Sequence, residues 1–327
     1  MPNENILLDL NGKSRAGRLT WSETTEQLKR MVARTPEVVV RVSGGAKTDA
    51  HVKDHLDYIT RHGELEAADD KDDTICGKFA VAGLHDSWDL DMSNGQGKYR
   101  QAFNLVLSMP SGTDPARLLK AAQNFARDQF GGRHRYAMVL HTQETDPHKK
   151  PPKHPHVHLI VKAEDRNGRR LNIRKVTLQI WRESFAEKLR EQAIEANATK
   201  RYSRGVTQKS KSSAEYHITG RKEKSTALAK RFEEAGKELQ LGDTALKPWE
   251  LAMAARRRDA VRELAANAAR LRQEGDVTLA ASVDRLATML PPLDTERHQM
   301  KRKIAQQVFS RQQAQEPARN RDADKER

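Results

Sequence analysis

The sequence predicts an α/β fold of the α+β type, with a largely antiparallel central sheet flanked by helices and an α-helical C-terminal region. Two observations lead to this prediction. In the first 200 residues, short β-branched and apolar runs bounded by Gly, Pro or Asp alternate with longer segments of helical periodicity. Further along the chain only the helical periodicity recurs, so no strands are expected there.

The chain has 327 residues, which is enough for about two domains. A segment typical of a linker lies between the mixed first part of the chain and the helical C-terminal part. It is rich in Lys, Arg, Ser and Thr and poor in apolar side chains. We therefore expect five segments: an N-terminal extension at 1–34, a mixed domain at 35–200, a basic linker at 201–224, a helical region at 225–315 and a disordered tail at 316–327.

The elements follow from local patterns. An apolar run ended by two glycines predicts a strand, an apolar stripe every three or four residues predicts a helix, and the acidic stretch 64–98 is expected to be irregular. The predicted strands are 37–45, 102–110, 135–142 and 154–163, and the predicted helices of the domain are 46–63, 113–132 and 176–197. A short helix is predicted at 21–32, and further helices at 225–241, 249–274, 277–290 and 293–315.

The charge balance indicates a polyanionic partner. Lys and Arg number 59 against 45 Asp and Glu, a net charge of +14, and only 5% of residues are aromatic. The single cysteine, Cys76, excludes an internal disulfide framework and fits a reducing cytosol. No apolar run approaches 18 residues, so membrane insertion is not expected.

Histidines are concentrated in one place, with five of the 12 in the 18 residues 141–158. Side chains alternate along a strand, so His154, His156 and His158 share one face of the strand 154–163. His141, at the end of the preceding strand, faces the same patch if the two strands pair antiparallel. We favour a site for a divalent cation with positions left for phosphate oxygens over the alternative of exposed polar residues.

A tyrosine lies off the apolar stripe of the helix 46–63. Tyr58 is about 120° from the Val52, Leu56 and Ile59 stripe and on the side of two histidines, His55 and His62. An ordinary surface tyrosine remains the alternative to a nucleophile. Because a phenol has a pKa near 10, a nucleophilic Tyr58 needs a base or cationic surroundings. The second candidate for the nucleophile is Tyr99.

Three ordered segments resemble a known family. LDYITRHGELE after VVVRVSGG, then LVLSMPSGTD, then VLHTQETD with HPHVHLIV are similar to the motifs of conjugative relaxases in the HUH endonuclease superfamily. The similarity is nearest to the P-type mobilisation relaxases and the T-DNA border endonuclease, and it covers roughly residues 37–205. It implies an HUH relaxase-like sheet and a DNA-nicking role for the domain at 35–200.

The resemblance also implies roles for individual residues. Tyr58 would attack a phosphodiester of single-stranded DNA at an origin of transfer, leaving a 5′-phosphotyrosyl link and a free 3′-OH. Ser108 stands where the family has a serine that contacts DNA near the cleavage site, with turn capping as the alternative. The metal ligands would be His141, His156 and His158, holding Mg²⁺ or Mn²⁺, and His154 would be a proton acceptor or phosphate contact.

The sequence departs from the family pattern in two places. The interval from His141 to His156 is 15 residues, longer than in the nearest relatives, which leaves His148 as a rival ligand. Lys162 stands where relatives often carry Asn, so an outer-shell hydrogen bond is missing or replaced by a DNA phosphate contact.

The function expected is therefore that of a metal-dependent, site- and strand-specific relaxase for conjugative transfer or mobilisation. The expected partners are single-stranded DNA at the origin of transfer, a relaxosome accessory protein and a type IV secretion coupling protein. The expected location is the bacterial cytoplasm, with delivery to a recipient cell together with the DNA.

The alternatives are a non-catalytic basic DNA-binding accessory protein and a rolling-circle replication initiator, which places its metal histidines before the tyrosine. The C-terminal helices are compatible with a solvated bundle or with binding duplex DNA, the coupling protein or another subunit.

Overall fold

The computed structural model divides the chain into two compact units, Met1–Thr199 and Lys200–Arg327. It describes residues 19–90, 99–146, 151–207 and 226–323. The part predicted as a basic linker is described only as far as residue 207, where a single 3₁₀ turn spans Arg201–Arg204. None of the helices described combines the length and apolar character that crossing a bilayer requires.

The first unit is built on an open antiparallel sheet. Its strands are β1 (Val39–Ala46), β2 (Ala67–Asp69), β3 (Thr74–Ile75), β4 (Ala102–Ser108), β5 (Tyr136–His141) and β6 (His156–Lys162). They form a 6-stranded sheet in the order β1-β4-β6-β5-β2-β3, and each neighbouring pair is antiparallel. The predicted fold class is therefore confirmed, including the antiparallel pairing of β5 with β6.

Helices cover both faces of this sheet: α1 (Trp21–Val32), α2 (Asp49–Ile59), α3 (Lys78–Asp86), α4 (Pro115–Phe130) and α5 (Lys175–Glu191). Local chemistry sets where they begin. The Asp114 side chain accepts hydrogen bonds from the Ala116 and Arg117 N–H groups, and Pro115 occupies the first turn of α4. Thr48 caps α2 in the same way by accepting from the N–H of His51.

The two sheet faces carry separate cores. Alternate residues of β4 and β6 pack against α4 and α5, whose largest buried side chains include Phe125, Phe130 and Phe185. On the opposite face, the apolar stripe of α2 packs with Val81 and Leu84 of α3 over the Ala102 end of β4. Because the Val52, Leu56 and Ile59 stripe turns inward, Tyr58 lies beside this stripe, on a partly exposed flank of α2.

The sequence predicted that the acidic stretch 64–98 is irregular, but its described part, residues 64–90, contains regular elements. It contains β2, β3 and α3. The two strands are 3 and 2 residues long, too short for an alternating pattern to be visible, and α3 follows Gly77 without a side-chain cap. β2 pairs with the strand Tyr136–His141 and β3 pairs with β2, while α3 packs against α2 in the apolar core.

The described part of the second unit is helical, as predicted. Its helices are α6 (Thr226–Gln240), α7 (Pro248–Gln273), α8 (Val277–Thr288) and α9 (Glu296–Ala323). α7 packs along α8, and α9 packs along α6. α9 continues beyond residue 315 to Ala323, into the segment for which a disordered tail was expected.

Candidate active site

Three histidines converge on the sheet face that α2 partly covers. His141 ends β5 and is the direct cross-strand partner of His156 on β6, while His158 lies two residues further along β6 on the same face. One ring nitrogen of each lies within 4.8 Å of the others. The ring centroids are 5.4 Å apart for His141 and His156 and 4.7 Å apart for His141 and His158. Strand alternation and antiparallel pairing therefore produce the cluster.

Burial keeps these imidazoles neutral. It lowers the pKa of His141 and His156 below the ordinary histidine value, and it is the largest cause of the lowered pKa of His158, about 3. Repulsion from His141 and His156 lowers the pKa of His158 further. Neutral imidazoles have lone pairs available for a metal ion near neutral pH.

The backbone of α2 orients one of these rings. The Nε2–H of His141 donates a hydrogen bond of 2.7 Å to the carbonyl oxygen of Ile59, the residue after Tyr58. This bond leaves His141 Nδ1 with its lone pair, and that atom is buried with no hydrogen-bond partner among the described residues. Metal-binding histidines are commonly held in this way, with the second nitrogen donating to a carbonyl.

Asp146 is a site residue that sequence reasoning missed. Its Oδ2 lies 3.2 Å from Nε2 of His156, and both side chains are only 6% exposed. The Nδ1 atom of His156 faces the carbonyl oxygen of His154 at 3.3 Å. Neutral His156 has one ring nitrogen without a proton, and in either tautomer the lone pair of that nitrogen faces an oxygen acceptor. A cation beside Nε2 would remove this repulsion between lone pairs.

The cluster thus fits a divalent cation. It offers three neutral nitrogen donors from two rigid strands, and two of the rings have a buried, unpartnered Nδ1 in the described part of the chain. A set of three imidazoles can bind a divalent transition-metal ion and leaves coordination positions for other ligands. Asp146 contacts His156 but is not one of the three grouped ligands.

Tyr58 stands beside this cluster. Its ring meets the ring of His158 edge-on, with centroids 6.3 Å apart and an interplanar angle of 87°. The side chain is 46% exposed, so the phenol is open to a large ligand. Partial burial, and secondly the charge of Asp146, raise the pKa of Tyr58 above its ordinary value, so the phenol is protonated at neutral pH.

A tight turn fixes the end of the tyrosine helix. Arg61, His62 and Gly63 have positive φ angles of 49°, 57° and 89°. A Cβ on Gly63 would lie 2.5 Å from the carbonyl carbon of Gly77, so only glycine fits there. This contact ties the turn after Tyr58 to the start of α3. The Ile59 carbonyl that accepts from His141 lies four residues before Gly63.

Two further predicted residues lie close by. Ser108 ends β4 directly across from His156 and is 5% exposed. His154 has its ring 5.9 Å from that of His156. It lies just before β6, which begins at His156, two residues later than the predicted start of the strand.

The remaining predicted residues are placed elsewhere or lie outside the described residues. Lys162 is four residues beyond His158, about 13 Å along the strand. Its ammonium donates hydrogen bonds to the carbonyl oxygens of Trp88 (2.5 Å) and Asp89 (2.9 Å). Tyr99, the rival nucleophile, lies just before β4, at the end opposite Ser108, with the guanidinium of Arg170 over its ring. His148, the rival ligand, lies outside the described residues.

The antiparallel sheet presents three histidines that could hold a metal ion beside an accessible tyrosine that could act as a nucleophile. Phosphoryl-transfer sites use this combination of groups. Comparison with known proteins makes the class specific. Residues 58–194 match the family model for the nuclease domain of MobA/VirD2-like relaxases. The resemblance to relaxases is thereby confirmed, since residues 58–194 are similar to that nuclease domain.

Two relatives have the same description. The T-DNA border endonuclease VirD2 of Rhizobium radiobacter is 25% identical over 201 residues, which are 55% of this chain and 46% of the relative. The T-DNA border endonuclease VirD2 of Agrobacterium fabrum is 26% identical over 223 residues, 62% of this chain and 47% of the relative. The chain therefore spans about half the length of these curated relatives.

A solved structure described as the molecular basis of vancomycin resistance transfer in Staphylococcus aureus is also similar. It is 14% identical with a TM-score of 0.32, over 51% of this chain and 99% of that chain. This likeness is too low to support a conclusion about the fold.

Proposed function

We propose that this chain is a site- and strand-specific DNA relaxase, which nicks single-stranded DNA at an origin of transfer during conjugative transfer or mobilisation. The observation that carries the proposal is the placement of Tyr58, edge-on to His158 and open to solvent. The nuclease-domain match and the description of the two relatives as endonucleases support DNA as the substrate.

In the proposed reaction, the Tyr58 phenolic oxygen attacks the phosphorus of one phosphodiester. The bond from phosphorus to the 3′ oxygen breaks as the bond to tyrosine forms, which leaves a 5′-phosphotyrosyl link and a 3′-OH. The phenol enters protonated, because burial raises its pKa, so a base must take the proton while another proton reaches the 3′ oxygen. His154 is the acceptor expected from the sequence, and Asp146 is a second group near the phenol.

His141, His156 and His158 would hold the divalent cation, with Mg²⁺ or Mn²⁺ expected. When bound, the cation would supply positive charge for the phosphate oxygens. Ser108, opposite His156, is proposed to contact DNA near the cleaved bond. The proposed phosphate contact of Lys162 would lie about 13 Å from His158 and would compete with the two carbonyls that now accept from its ammonium.

The remaining proposals concern the whole protein. Residues 35–200 would form the nicking domain, 201–224 a basic linker and 225–315 the helical region. A relaxosome accessory protein and a type IV secretion coupling protein are the proposed partners. The protein would act in the bacterial cytoplasm and be delivered to a recipient cell with the DNA.

The test is covalent adduct formation by the full chain with labelled single-stranded oligonucleotides that tile the intergenic DNA beside its gene, with Mg²⁺ or Mn²⁺. Tyr58→Phe should abolish the adduct and retain DNA binding, because one hydroxyl is lost without a change of charge. Tyr99→Phe is the matched control, since Tyr99 is 48% exposed and Tyr58 46%. An adduct that survives in Tyr58→Phe, with the phosphotyrosyl peptide mapping elsewhere by mass spectrometry, would contradict the proposed nucleophile.

A further inference from the structure

The histidine face of the sheet continues, strand by strand, to the sheet edge. Ser108 pairs with His156 on one side and with Val39 on the other, and Val106 pairs in the same way with His158 and Arg41. Antiparallel cross-strand partners lie on the same face, so two rows run from the histidines across β4 to β1. β1 is one of the two edge strands of the sheet.

The β1 ends of these rows are more exposed than the histidine ends. His141 and His156 are buried and Val106 is half-buried, whereas Val39 is 46% exposed and Arg41 is exposed. The apolar core beneath α2 and α3 includes the Ala46 and Ala102 ends of β1 and β4. Neither Val39 nor Val106 belongs to it in the described part of the chain. This end of the face is therefore an open surface joined directly to the candidate active site.

Arg41 adds a fixed positive charge to this face, whereas Asp146, beside the histidines, is an acid. A polyanion that extends beyond the proposed cation therefore needs a further cationic contact of this kind. Within the described residues, the Arg41 guanidinium forms no hydrogen bond or ion pair, whereas Arg61, also near the cluster, is paired with Glu64 at 3.6 Å. The backbones of Arg41 and His158 are two interstrand spacings apart, about 10 Å. The long Arg41 side chain can therefore contact a phosphate next to one that lies at the histidines.

Building on the proposed function, we propose that Val39, Arg41 and Val106 form a seat for the nucleotide next to the cleaved bond. Arg41 binds the phosphate of that nucleotide, and the two valines contact its base. Charge complementarity and continuity with the histidine rows both favour single-stranded DNA as the occupant. Apolar contact with a base face does not depend on the base, so the seat positions DNA without reading its sequence.

The test uses full-length chain carrying Tyr58→Phe, which removes cleavage, and a dT20 oligonucleotide followed by fluorescence anisotropy over a range of salt. Arg41→Ala should weaken binding about 10-fold, and the slope of log Kd against log salt should fall by about 0.7, the loss of one phosphate contact. Arg41→Lys should keep most of the slope. Lys120→Ala is the control, because Lys120 is an exposed cation on α4, which packs on the opposite sheet face, and it should leave the slope unchanged.

The valines are tested separately. Val39→Ser should weaken dT20 binding about threefold with no change of salt slope, since it removes apolar surface and no charge. Val176→Ser is the control, because Val176 is 43% exposed on α5, which also packs on the opposite face. Circular dichroism checks that each variant is folded.

The outcomes separate the seat from the nicking reaction. An unchanged affinity and salt slope in folded Arg41→Ala would overturn the seat, even if Tyr58 forms adducts normally. If the slope of log Kd against log salt is shallower in Arg41→Ala but the wild-type chain forms no adduct with any oligonucleotide, the nicking proposal is refuted and the DNA-binding seat stands. Once the nick is mapped, a methylphosphonate at the adjacent phosphate should slow the wild-type chain and not Arg41→Ala, because both changes remove the same contact.

Discussion

Acidification of the metal-free protein should destabilise its first unit through His158. The pKa of His158 is about 3 in the fold, whereas an unfolded histidine titrates near 6.5. Below pH 6.5 His158 therefore becomes protonated in the unfolded chain but stays neutral in the folded chain. Stability is greatest above pH 6.5 and falls as the pH decreases toward the folded pKa.

The magnitude follows from the difference between the two pKa values. At about pH 4.5, two units below the unfolded pKa and still above the folded one, His158 alone costs about 3 kcal/mol of unfolding free energy, at 1.36 kcal/mol per unit. Burial lowers the pKa of His141 and His156 as well, so their contributions have the same sign. A loss of this size is a large fraction of the total stability of a typical domain.

The assay is urea unfolding in EDTA at pH values from about 7 to 4.5, followed by tryptophan fluorescence. Trp88 and Trp181 are 1% and 3% exposed in the first unit, whereas Trp249 of the second unit is 58% exposed, so the fluorescence change reports mainly the first unit. His158→Gln removes the titrating group and keeps a polar side chain. It should lower the pH dependence relative to wild type by about 3 kcal/mol over this range.

The refuting result is a His158→Gln chain whose stability falls with pH as steeply as that of the wild type. That outcome would mean that His158 is solvated in the folded protein, and the neutral ligand set would then lack its physical basis. Saturating Mn²⁺ should add stability to the wild-type chain at neutral pH and lose this effect on acidification, because protons compete for the same nitrogens.

Three further outcomes are expected. The double variant His156→Ala, His158→Ala should lose Mn²⁺ binding in calorimetry together with cleavage, and unchanged binding would move the site elsewhere. Gly63→Ala should cost more than about 1 kcal/mol of unfolding free energy and slow the Tyr58 reaction, because its Cβ meets the Gly77 backbone. Gly112→Ala is the control, because Gly112 has a φ of 91° and open space around it, so this variant adds backbone strain without a clash. Equal losses of stability in the two variants would show that the contact with Gly77 is not the cause. A chain ending near residue 205 lacks +7 of the +14 net charge and should still cut a short oligonucleotide while binding longer DNA with a shallower salt dependence. A well-folded truncation that fails to cut would place part of the catalytic unit in the helices.

Much of the candidate site is local in origin and is visible in the sequence. The alternation of His156 and His158 on one strand, the apolar stripe that turns Tyr58 outward and the Asp114 cap of α4 all depend on neighbours within a few residues. Periodicity and capping act over such distances, so they are predictable without a fold. The same holds for the fold class, since strands with two differently packed faces and helices of clear period were both evident.

Contacts between distant segments required the tertiary structure. The hydrogen bond that orients His141 joins it to the Ile59 carbonyl across 82 residues, and no local pattern marks a backbone acceptor. Asp146 is an ordinary turn residue in the sequence, and only the docking of that turn on β6 places it against His156. Lys162 shares the histidine face but lies at the far end of the strand, engaged with two carbonyls.

The physical reason for the division is the range of the forces involved. Side-chain period and helix capping are properties of one segment, and the 20 amino acids express them directly in the order of residues. Strand register, strand order and the docking of turns depend on which surfaces the whole chain can bury together. The sequence by itself therefore determined which residues could form a tyrosine and histidine site, and the packed sheet decided which of them meet.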